Sequence, residues 1–107
     1  MTGPQPFRRP AIDLAGAQLE AFLVTGAANV RYLTGFTGSN GVVLVTPGGA
    51  VFFTDPRYEI QSAQQVACRV QVVRKGGLLP AVAAYAAKRQ IRALGFEKDH
   101  FSYQQHQ

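Results

Sequence analysis

Asn29-Val30-Arg31-Tyr32-Leu33-Thr34-Gly35-Phe36-Thr37-Gly38-Ser39-Asn40-Gly41 lies between two apolar runs and sets aromatic side chains among three glycines. Glycine permits positive φ or close backbone approach, and Tyr32 and Phe36 bring apolar surface that an ordinary turn does not carry. The stretch reads as a loop that forms a binding edge. It holds no catalyst of its own: Arg31 and the hydroxyls of Thr34, Thr37 and Ser39 have no sequence-adjacent His, Cys or carboxylate to activate them.

Working outward, Ala21-Phe22-Leu23-Val24-Thr25 is a compact run of strand formers ended by Gly26. Downstream, Val42–Thr46 and Ala50–Thr54 flank Pro47-Gly48-Gly49, which predicts a hairpin. Asp55-Pro56 then announces a helix over 56–66, because Asp caps free amides and Pro at the first helical position has no N–H to lose. Arg69–Val73 reads as a strand and Gly76-Gly77 as a breaker. The period Leu79, Val82, Tyr85, Ala86, Arg89 reads as an alanine-rich helix, and residues 93–97 as a last short strand. Upstream, residues 1–10 form a proline-rich flexible tail leading into a short helix near 11–18. At the other end, Ser102 and Gln105 have capping-box spacing, so residues 102–107 read as the start of a truncated helix or a linker. One domain over 11–101 is expected.

Several chemistries are disfavoured. The glycine spacing is G-x-x-G-x-x-G and leads into a strand, whereas a dinucleotide site needs G-x-G-x-x-G at a helix N-terminus. His100 and His106 match no common metal spacing. Cys68 is alone, excluding an internal disulfide, and reads as a small buried hydrophobe in a protein of a reducing cytoplasm. The net charge of +5 raises nucleic acid as a partner, but the basic residues are scattered. Lys88, Arg89 and Arg92 sit where a helix ends and cations suit its dipole; an acidic partner surface is the other reading of the excess. No apolar run is long enough to span a bilayer, and Asp13 and Glu20 interrupt any signal-peptide core. For Arg57 three roles stay open: binding a carboxylate, pairing with Asp55, or bracing the loop, with bracing preferred because no second cation flanks it.

Taken in order, Phe22–Thr25, the Y-L-T-G-F-x-G-S element at Tyr32–Ser39, the T-D-x-R-Y element at Thr54–Tyr58 and Leu94-Gly95-Phe96-Glu97 resemble the N-terminal domain of the creatinase, prolidase and Xaa-Pro aminopeptidase group of metallopeptidases. Pro56 stands where glycine is common in that group. The resemblance implies an α/β fold, a mixed β-sheet flanked by helices with ribonuclease H-like topology. It implies a non-catalytic role in oligomerisation and in shaping the substrate cleft for proline-containing peptides. Two divalent metal ions, such as Mn, would belong to a missing C-terminal catalytic domain, leaving this chain inactive alone. It further implies that Tyr32, Phe36, Thr37 and Ser39 approach the cleft, supported by Asn29, Asp55, Arg57 and Tyr58. The rival expectation is a stand-alone interaction module of the same fold.

Overall fold

The structure is a computed structural model that describes residues 5–10 and 12–97. Five strands form one mixed sheet: β1 (Ala21–Val24), β2 (Gly41–Thr46), β3 (Gly49–Thr54), β4 (Arg69–Val72) and β5 (Leu94–Phe96), in the order β4-β3-β2-β1-β5. The β1–β2 and β2–β3 pairs are antiparallel, while β4 runs parallel to β3 and β5 parallel to β1. Three helices complete the domain: α1 (Ala27–Thr34), α2 (Glu59–Gln65), entered through a 3-10 turn at Pro56–Tyr58, and α3 (Leu78–Lys88). This is the mixed α/β architecture that the sequence predicts.

Both faces of the sheet are covered, which explains why the central strands read as continuous apolar runs. Leu23, Val42, Leu44, Val51 and Phe53 point to one face and pack with Val82 of α3. Val24, Val43 and Phe52 point to the other and meet Val30 and Leu33 of α1, Phe36 and Val66. The hairpin forms as expected, with register from Gly41↔Thr54 to Thr46↔Gly49. No helix among the described residues is long and apolar enough to cross a membrane.

Two local expectations are corrected. Residues 14–18 form turns, not a helix: the Asp13 carboxylate accepts from the Gly16 amide at 3.0 Å, and Gln18 at φ 62° ends the turn. The stretch 29–41 is not one loop, since residues 29–34 belong to α1. Val30, Leu33 and Thr34 share its buried face, and Gly35 ends it in the left-handed conformation at φ 85°, donating its amide to the Arg31 carbonyl at 2.8 Å. The described part of the predicted tail lies against the domain: the Arg8 amide donates to the Leu33 carbonyl at 2.9 Å, and Arg9 reaches the Thr46 and Gly49 carbonyls. The capping box at Ser102 and the two histidines lie outside the described residues.

Candidate functional site

What remains of the loop is residues 35–40, and side chains from the Asp55–Gln65 segment hold it. Phe36 enters first. Its ring is buried, 4.7 Å from Phe52 and 5.3 Å edge-on to Tyr58, so the aromatic predicted at a cleft surface is a core residue of this domain. A helix ending in Gly35 turns the next side chain back onto the sheet, and the buried Thr34 hydroxyl fixes that turn by accepting from the Phe36 amide at 3.1 Å. The other two glycines are explained by the same rings. A methyl at Gly38 would overlap Phe36 and Tyr58, and one at Gly41 would overlap Phe52.

Beyond Phe36 the chain surfaces, and each exposed residue is tied down. The Thr37 amide donates to Gln65 Oε1 at 2.9 Å, while Gln61 and Gln65 each donate to the Thr37 hydroxyl at 3.0 Å. Ser39 Oγ lies 2.6 Å from the Tyr58 hydroxyl, which also accepts from the Ser39 amide at 3.3 Å. These two contacts, the side-chain one foremost, favour the phenolate and hold the Tyr58 phenol below its ordinary value. Asn40 donates to Asp55 Oδ2 at 2.6 Å, and its carbonyl accepts from Thr54 Oγ1.

Asp55 is the hub. Besides Asn40 it accepts from the Arg57 amide at 2.9 Å, the N-terminal cap expected from the sequence, and takes both arms of the Arg57 guanidinium at 3.0 and 2.8 Å. Of the roles open for Arg57, pairing with Asp55 is the one seen: its guanidinium is engaged by that carboxylate and lies 5.2 Å above the Tyr58 ring. Hydrogen bonds from Arg57 and then Asn40 hold the Asp55 carboxyl far below the usual aspartate range. A depressed carboxyl contributes stability above its unfolded-state value and loses it as pH falls through the folded one. We expect the Asp55 carboxyl carbon, followed by NMR, to stay ionised at pH 3, and Asp55→Asn to remove part of the chain's acid destabilisation. A titration midpoint near that of a free aspartate would refute the hub.

Two predicted residues lie apart from this cluster. Tyr32 is 59% exposed on α1 with the Arg8 guanidinium 4.9 Å over its ring. Asn29 donates to Glu97 Oε2 at 2.6 Å at the start of α1, beside a hollow lined by Phe22, Tyr32 and Glu97. Gln61, Gln65 and Asn40 were not singled out by sequence. The i,i+4 spacing of the glutamines sets both on one helix face and was visible, but their partner Thr37 was not. Burial pushes the Cys68 thiol up to about 11, as befits an unreactive hydrophobe.

Asp55 is neutralised by Arg57, Glu59 pairs with Arg74 at 3.0 Å, and no group of three or more His, Cys, Asp or Glu among the described residues could hold a metal. Fold and site thus define a mixed α/β domain whose loop at 35–40 is held by hydrogen bonds from the Asp55–Gln65 segment. Residues 13–107 match the Creatinase/Prolidase N-terminal domain, and the chain belongs to that family. It is 36% identical over 85 residues to the uncharacterized peptidase YqhT of Bacillus subtilis, covering 79% of this chain and 24% of that protein. An Xaa-Pro dipeptidase from Bacillus anthracis superposes with a TM-score of 0.76 at 34% identity, over 84% of this chain and 25% of that one. The N-terminal domain of the cytoplasmic peptidase PepQ from Mycobacterium tuberculosis superposes with a TM-score of 0.74 at 36% identity, over 84% of this chain and 70% of that one. The chain therefore spans about a quarter of the length of YqhT and of the Bacillus anthracis dipeptidase.

Proposed function

We propose that this chain is the non-catalytic N-terminal domain of a metal-dependent Xaa-Pro aminopeptidase or dipeptidase, and that the braced loop 35–40 forms part of its substrate cleft. Support comes from the family match and from the length of the relatives, which leaves room for a catalytic domain after this one. The observation that carries the role of the loop is its bracing. Thr37 and Ser39 stay exposed while Gln65 and Tyr58 hold their amides, which is how a cleft wall is pre-organised without a catalyst. Tyr32 offers a separate exposed aromatic to the cleft of a neighbouring subunit in an oligomer. Two divalent metal ions, held by the other domain, would supply the activated water for peptide hydrolysis.

The chain alone, incubated with Mn²⁺ and Xaa-Pro peptides, is expected to release no amino acid above the blank; turnover would refute the division of labour. In the longer protein, Gln65→Ala is expected to raise KM several-fold and change the preferred peptide length with little loss of stability. Kinetics identical to the parent would remove the loop from the cleft.

A further inference from the structure

Among the described residues, strand β4 closes one edge of the sheet and pairs with β3 alone, the Gln5–Val66 bridge lying just before it. Its register sets Arg69 beside Val51 and Gln71 beside Phe53, so both side chains share the face that α3 covers. Between them and α3 runs an open groove of about 660 Å³, lined on the helix side by Ala81, Ala84, Tyr85, Lys88 and Arg89. Tyr85 packs edge-on against Phe53 at 5.7 Å, and the Arg89 guanidinium sits 4.4 Å over the Tyr85 ring, which anchors that wall to the core.

Three cations thus face one groove with no carboxylate among the described residues that line it. The ion pairs among the described residues are Arg57–Asp55 and Arg74–Glu59, so Arg69, Lys88 and Arg89 are unneutralised there. The helix dipole accounts for Lys88 and Arg89 at the end of α3. Arg69 stands on a strand, has no dipole to serve, and adds like-charge repulsion to the same groove. A cation on an exposed edge also rejects neutral and basic strands, and an acidic strand is the one it attracts.

We propose that the β4–α3 groove docks an extended acidic segment of a partner protein, added to the free edge of β4 with carboxylates at alternate positions toward Arg69, Lys88 and Arg89. Strand addition would satisfy the main-chain groups of the edge, while the period of two would bring every second side chain of the segment to the cationic wall. A nucleic acid fits less well, because a phosphate backbone does not pair with main-chain edge groups. The proposal is independent of any role in peptide hydrolysis.

The test is titration of the isotope-labelled chain with a synthetic peptide alternating Thr and Glu. Expected are saturable amide shifts in 69–72 and 85–89 together, weakened at least tenfold by Arg69→Glu and strongly by salt. A Thr and Lys peptide is expected to bind the Arg69→Glu chain better than the parent. Arg69→Gln serves as the second variant should Arg69→Glu fail to fold. The proposal is overturned if the peptide does not saturate, if both variants bind it as the parent does, or if a peptide with its glutamates in one block or a single-stranded oligonucleotide gives equal affinity without shifts in β4.

Discussion

Phe36→Ala is expected to destabilise the chain by about 3–5 kcal/mol, the range for truncating a buried aromatic. The ring is 2% exposed and wedged between Phe52 and Tyr58. Its loss leaves a cavity that the two glycines beside it cannot fill, since Gly38 and Gly41 carry no side chain to move inward. Against a total stability of about 5–15 kcal/mol for a domain, this is a large fraction. Urea unfolding measures it, with Phe36→Leu retaining most of the stability and Tyr32→Ala, at an exposed position, shifting it by roughly 0.5 kcal/mol or less. A Phe36→Ala chain as stable as its parent would return Phe36 to the surface role that its sequence context suggests.

That contrast shows where sequence reading reached its limit. The hairpin at Pro47-Gly48-Gly49 and the cap at Asp55-Pro56 were legible because their determinants are local: a turn that must reverse the chain, and a carboxylate two residues from the amide it binds. Helix α1 was hidden because its start has no side-chain cap of its own and its end coincides with the glycine-rich stretch. Its apolar face consists of Val30 and Leu33 embedded among aromatics and glycines, a pattern that composition alone reads as loop. The direction of Phe36 depends on the left-handed turn at Gly35, and the bracing of Thr37 depends on Gln65, 28 positions away. Asp55 and Arg57 could be paired from spacing; Asn40, which completes the hub, lies on the far side of the hairpin.

Glu97 supplies the cap that α1 lacks, and its loss is the second large effect expected. Its carboxylate accepts from the Thr25 amide at 2.7 Å, the Gly26 amide at 2.5 Å and Asn29 Nδ2 at 2.6 Å. A negative charge there also complements the positive end of the helix, for which Gly26 offers no side chain. Glu97→Ala leaves two backbone donors in a half-buried turn without their acceptor and is expected to cost about 2–3 kcal/mol, the scale of hydrogen bonds to a charged group. Asn29→Ala removes one donor and is expected to cost less, because the other two bonds persist. Glu97→Gln keeps an acceptor oxygen without the charge and should fall between the two. Urea midpoints rank the three variants, and hydrogen exchange locates the damage, with the Thr25 and Gly26 amides accelerating first. A Glu97→Ala chain in which those two amides keep their protection would show that α1 is capped by something else. Through α1 the effect reaches the loop: the helix capped at Gly26 is the one that delivers Gly35, so the residue after β5 also sets where the loop at 35–40 begins.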